Sequence, residues 1–162
     1  MRLSRLSPLL LLLALGCAGR TDTTADEISL QLSEPTGASN VNLTRFDTAN
    51  DWQRTRPGLG LTVTATQTPG PTGLSSRFAR AVVGTASVGT EYSLNFGDAN
   101  YVELSETSTT GTRVWRSESG AMTLLKDDTK ISEFLVTNVT MAPYSGNATG
   151  RFKIAGKMII RF

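Results

Sequence analysis

At 162 residues, with 39% hydrophobic and 19% charged side chains, the chain has the size and composition of one globular domain able to bury its own core. It has no histidine and one cysteine, which excludes an internal disulfide, Ser-His-Asp and Cys-His catalysis, and histidine-based zinc or copper sites. The formal charge of +2 falls to 14 basic against 14 acidic groups once Arg2 and Arg5 leave with the leader described below, so no cationic excess supports nucleic acid as a partner.

Residues 1–16 read as a secretory signal peptide: Arg2 and Arg5 first, then the apolar run Leu9 to Leu13, then Ala14-Leu15-Gly16 before Cys17. The apolar stretch is about ten residues, half of the roughly 20 that a membrane-spanning helix needs. The ending Leu13-Ala14-Leu15-Gly16-Cys17 resembles the lipobox of bacterial lipoproteins. That family usually has leucine at the third position before the cysteine and a small residue at the second; Ala14 and Leu15 stand here in the reverse order. The resemblance implies cleavage before Cys17, acylation of Cys17 and attachment to a membrane through the N-terminal lipid. Ala18 stands where an aspartate would favour the inner membrane, so the outer membrane is the expected address. The competing reading is an ordinary signal peptide cut near Ala18 or Gly19, with Cys17 discarded.

Residues 17–27 would then be the lipidated cysteine and a flexible tether, since Ala18 to Glu27 are small, polar and without apolar periodicity. Residues 28–162 form a single expected domain. Ile28, Leu30 and Leu32 alternate with Ser29, Gln31 and Ser33, the period of a strand with one buried face. Val41-Asn42-Leu43-Thr44 repeats that theme, and Asp47 to Arg54 suggests a short helical turn. Further strands are expected over 59–66, 78–85, 90–96, 101–105, 112–116, 121–125, 131–141 and 150–162. Thr66 to Ser76, rich in Thr, Pro and Gly, reads as an exposed loop, and Gly97-Asp98-Ala99-Asn100, Asp127-Asp128 and Ser145-Gly146-Asn147 read as turns. About ten short strands with turn signals predict an all-β fold, an antiparallel β-sandwich or else a small soluble β-barrel of lipocalin-like form.

The last strand has the clearest pattern. Phe152, Ile154, Gly156, Met158, Ile160 and Phe162 share one face, and Arg151, Lys153, Lys157 and Arg161 lie on the other. The four cations read either as a basic stripe for an anionic surface or as the wet, pairing-resistant face of an edge strand. The terminal Phe162 after alternating apolar residues also resembles the closing strand of bacterial outer-membrane β-barrels, but aromatics at 7% fall short of the girdles such barrels carry.

Candidate sites are few, and no pattern demands a cofactor or a metal. Glu103, Glu106, Glu118 and Glu133 are the carboxylates from which a glycan hydrolase would have to draw its pair. Asp98-Ala99-Asn100 and Asn50-Asp51 are fragments of calcium-loop type that lack the rest of an EF-hand. Trp115, next to Val114 in strand phase, is either core or a surface contact; Trp52 is expected to cap the core, without the Gly-x-Trp start of lipocalins. The expected function is a non-catalytic binding or structural module of the cell envelope that contacts a protein or glycan. A lipocalin-like carrier, a carboxylate-dependent glycan hydrolase and a small outer-membrane β-barrel are the alternatives.

Overall fold

The computed structural model describes residues 26–161. The signal peptide, Cys17 with most of the tether, and Phe162 lie outside the described residues.

The described chain is all-β and antiparallel, with nine strands and no helix: β1 (Glu27–Thr36), β2 (Asp51–Thr55), β3 (Leu61–Gln67), β4 (Ser76–Val83), β5 (Glu91–Ser93), β6 (Tyr101–Ser108), β7 (Gly111–Asp127), β8 (Ile131–Gly146) and β9 (Arg151–Arg161). They hydrogen-bond in the order β1-β9-β8-β7-β6-β4-β3-β2, with β5 added to the second half of β7. This single sheet curls into a half-barrel, between an open sandwich and a closed barrel. From β3 onwards most connections are hairpins between neighbours, as expected of short loops in a meander.

Alternation sets which face turns inward. Ile28, Leu30 and Leu32 of β1, Val63 and Ala65 of β3, Leu104 of β6, Phe134 and Val136 of β8, and Phe152, Ile154, Met158 and Ile160 of β9 are all buried. The concave interior is filled by large side chains. Trp115 is fully buried, stands edge-to-face with Phe152 at 5.5 Å and 81°, and donates its indole N–H to the Thr149 carbonyl at 3.3 Å.

Two long strands bend to let the sheet curl. β7 runs unbroken where the sequence suggested two strands, because register shifts around Ser117, Ser119 and Ala121 move its alternation out of phase without ending the pairing with β8. Gly156 bends β9: its φ is 146°, and a Cβ there would lie 1.8 Å from the Ser29 carbonyl oxygen of β1.

Two sequence expectations fail in the segment between β1 and β2. The helical turn over Asp47 to Arg54 does not form: its second half, from Asp51, is strand β2, with Trp52 paired to Ala65 and its ring packed against the core. The edge of β3 offered a ladder that satisfies more backbone groups than one isolated helical turn can. Val41 to Thr44 is no strand. Its backbone is held by charged side chains: the Asn42 N–H donates to both Glu106 oxygens at 3.2 and 3.1 Å, Arg77 donates to the Asn42 and Thr44 carbonyls at 2.6 Å each, and Arg113 donates to the Asn40 carbonyl at 2.6 Å.

Those three side chains form one ion cluster. Arg77 Nε lies 3.4 Å from Glu106 Oε1, Arg113 Nη2 lies 3.1 Å from Glu106 Oε2, and the Arg77 and Glu106 side chains are wholly buried. Arg77 also stacks its guanidinium 5.3 Å from the centre of the Phe46 ring. Burial pushes the Glu106 carboxyl up against the opposite pull of the Asn42 N–H, Arg77 and Arg113, and burial lowers Arg77 in turn despite Glu106.

The same segment bridges the two edges of the sheet. Phe46 exchanges both backbone hydrogen bonds with Leu30 of β1, at 2.9 and 3.0 Å, and the Asn50 N–H bonds the Thr66 carbonyl of β3 at 2.8 Å. On the far side, Arg54 donates to Ser132 Oγ at 3.1 Å and to the Asp128 carbonyl at 2.7 Å, and Arg56 pairs with Asp127, so the β2 end is tied to the β7–β8 turn.

Two substitutions test this account. Glu106→Gln leaves two guanidiniums beside a neutral amide and is expected to cost about 3–5 kcal/mol, read as a lower denaturant midpoint at unchanged slope. Gly156→Ala must push β1 away from β9 and is expected to cost at least about 2 kcal/mol in the same assay.

Candidate functional site

The outward face of the sheet carries two cross-strand rows of mostly polar, half-buried side chains. Register aligns Gln53, Thr64, Arg80, Glu103 and Arg116 on β2, β3, β4, β6 and β7 as one cross-strand row. The neighbouring row holds Thr55, Thr62, Val82 and Tyr101. These residues alternate with core residues, so they point away from the interior.

Arg80 and Arg116 flank Glu103 in that row. Arg80 Nη1 approaches Glu103 Oε1 at 3.4 Å, its Nε donates to Thr64 Oγ1 at 3.4 Å, and its guanidinium lies 5.1 Å from the Phe78 ring centre. The Arg116 guanidinium lies 3.4 Å from the Tyr101 ring centre and 5.2 Å from that of Tyr144, and its Nη2 donates to the Asp98 carbonyl at 3.2 Å. A planar cation is thus fixed among two tyrosine rings and a loop carbonyl, a geometry that cation–π attraction and the guanidinium fork both favour.

A bulge aims Tyr144. Val114 pairs with Ser145 and Trp115 with Pro143, which leaves Tyr144 as the extra residue of β8. Its ring meets Phe96 edge-on at 6.0 Å, and Phe96 and Tyr144 remain 53% and 49% exposed. Beside Tyr101, Gln53, Thr55, Thr62, Thr64 and Arg80 line a shallow groove of about 230 Å³. Ring surface, oriented guanidiniums and a threonine ladder suit contact and hydrogen bonding with a flat partner.

The residues singled out in the sequence fall elsewhere. Trp115 is core, so the surface-contact reading does not hold; the indole fills the volume between β7 and β9 and leaves nothing exposed. Three of the β9 cations carry carboxylate partners: Arg151 forms a two-pronged pair with Glu118 at 2.7 and 2.9 Å, Lys153 pairs with Glu34, and Lys157 pairs with Glu133 at 3.2 Å. Arg161 donates its backbone N–H to Asp26. The stripe is therefore close to neutral, because β1, β8 and β7 supply Glu34, Glu133 and Glu118 to it.

The four glutamates named for hydrolysis do not converge. Glu103 and Glu106 lie on opposite faces of β6, three residues apart on a period of two, while Glu118 and Glu133 are held by Arg151 and Lys157. The side-chain hydrogen bond from Arg151 holds the Glu118 carboxyl below the usual carboxylate range. Asp128 accepts the Lys130 and Ile131 N–H groups at 2.7 and 3.0 Å and so builds the β7–β8 turn, and Asn100 accepts the Gly84 N–H at 2.9 Å. Asn50 grips the Thr68 backbone.

Phe96, Tyr101, Arg116 and Tyr144 were not singled out by sequence reasoning. Their one legible signal is that Tyr101 and Arg116 occupy the polar phase of strands otherwise read correctly; Tyr144 depends on a bulge that no local pattern announces. No protein-family model, curated protein or solved structure matches the chain.

Trp115→Ala should cost about 3–5 kcal/mol by removing core volume, whereas Tyr144→Ala should leave the unfolding midpoint within about 1 kcal/mol of wild type; equal losses would contradict the division between core and face. For Glu118, a depressed folded value means that its stabilising contribution is present at neutral pH and disappears as pH falls through that value. Arg151→Gln should therefore flatten the acid limb of the melting temperature against pH, measured from pH 7 to 3.

Proposed function

We propose that the chain is a bacterial envelope lipoprotein, tethered through acylated Cys17, whose β domain is a non-catalytic binding module. The Leu13-Ala14-Leu15-Gly16-Cys17 ending supports the tether. One observation carries the binding role: the outward Arg116 guanidinium held among Tyr101 and Tyr144, beside exposed Phe96. Tyrosine and arginine are the residue types that dominate contact energy at interfaces, and pre-ordered ones lose little entropy on binding.

A carrier role has less to recommend it, because the concave space where a lipocalin-like protein would hold its ligand is occupied by Trp115, Phe46, Phe134 and Phe152. A module of this kind works by presenting its face at a fixed distance from the membrane, with the polar stretch 18–27 as the leash.

Two measurements test the reading in a bacterial host. Intact mass of the wild-type chain should show a mature form beginning at Cys17 with a diacylglyceryl increment, and Cys17→Ser should lose membrane association; a soluble mature chain beginning beyond Cys17 would sink the tether. A photo-crosslinking residue placed at Tyr144 of the full-length chain should give a discrete adduct that Phe96→Asp abolishes. Crosslinks no different from those at Lys157, on another part of the surface, would remove the contact role from this face.

A further inference from the structure

A second cleft lies at the end of the half-barrel, apart from the outward face. The segment 37–50, the β3–β4 loop and the β6–β7 hairpin surround a cleft of about 400 Å³. Its walls include Asn40, Asn42, Thr72, Ser108 and Thr110, and Arg113 is the one charged side chain among its lining residues. Beneath Arg113 sits the buried cluster, in which a single carboxylate, Glu106, meets two guanidiniums at 3.4 and 3.1 Å. The cluster therefore carries one uncompensated positive charge.

The backbone carbonyls that Arg77 and Arg113 bond solvate the cations but supply no negative charge. Glu106 supplies one negative charge to two guanidiniums while its oxygens also accept the Asn42 N–H. Arg77 is sealed, whereas the Arg113 side chain is 21% exposed, so the surplus charge reaches solvent through Arg113. Arg113 Nε is buried without a hydrogen-bond partner, as are Arg77 Nε and Arg116 Nε, so it is the solvent-reaching part of the Arg113 side chain that faces the cleft. A fixed guanidinium in a cleft rimmed with hydroxyl and amide groups is suited to an oxyanion, which can accept from the planar fork and from the rim together.

We propose that this cleft is an anion-binding site that takes a carboxylate or phosphate group of its ligand, with Arg113 as the principal contact. The cluster that closes the fold and the site that binds the anion then share a residue, so occupancy would also stabilise the loop segment 37–50.

The test titrates the full-length chain in detergent with inorganic phosphate or with sodium glucuronate, at constant ionic strength set by sodium chloride, and follows the Arg113 Nε–H resonance. A saturable shift with a midpoint in the low millimolar range is expected; saturation by phosphate alone or by glucuronate alone would assign the group, and saturation by both would support the shared oxyanion chemistry. Arg113→Lys should weaken binding at least tenfold. Because that variant touches the buried cluster, Thr110→Asp, which adds a negative charge at the rim only, should abolish binding while leaving the melting temperature near wild type. Absence of saturation with both anions, or unchanged binding in a folded Thr110→Asp chain, would overturn the proposal.

Discussion

Glu106 is the carboxylate on which the arrangement of this half-barrel turns. It gathers Arg77 from β4, Arg113 from β7 and the Asn42 N–H from the long segment after β1 into one buried cluster. Buried charges cost several kcal/mol each in lost hydration, and attraction offsets that cost only when the geometry is satisfied on every side. Any arrangement that lifts the segment off the barrel end leaves a carboxylate and two guanidiniums short of partners at once. The cluster thereby selects one path for a stretch of chain that has little secondary structure of its own.

That path determines the closure of the sheet. Once Asn42 and Thr44 are held, Phe46 falls beside Leu30 of the edge strand β1, and Asn50 beside Thr66 of β3, where the segment runs on into β2 at the other edge. Exposed edges are templates for unwanted strand pairing. Here one edge is partly covered by Phe46, and the other is the short β2, anchored to the β7–β8 turn by Arg54 and Arg56. The interior, sealed in this way, is occupied by Trp115 and phenylalanine rings.

Charge is distributed differently over the two sides of the molecule. On β9 the cations meet glutamates strand by strand and cancel. On the outward face of β4, β6 and β7, Glu103 alone stands in the row with Arg80 and Arg116, and the second guanidinium is ordered by tyrosine rings. A half-buried guanidinium among π faces keeps its hydrogen-bonding edge in a fixed direction, whereas a solvated lysine does not. The outward face thus holds its guanidiniums by rings and a lone glutamate, whereas the basic strand that stood out in the sequence is paired with acids.

The sequence by itself determined the β class, the hairpin turns and the inward face of most strands, because period-two alternation and Gly, Asn or Asp turns are local properties of the chain. Ile28, Leu30 and Leu32 on β1 and Phe152 to Ile160 on β9 were legible for that reason. Only the tertiary structure decided the rest. Val41 to Thr44 alternates like a strand but has its backbone bonded by Arg77 and Glu106, residues 33 to 64 positions away in sequence. The pairing of the β9 cations, the burial of Trp115 and the bulge that brings Tyr144 to Arg116 depend likewise on which strands become neighbours and in what register. Register is a long-range property: a one-residue slip exchanges the two faces of a strand, and no local pattern in the chain records it.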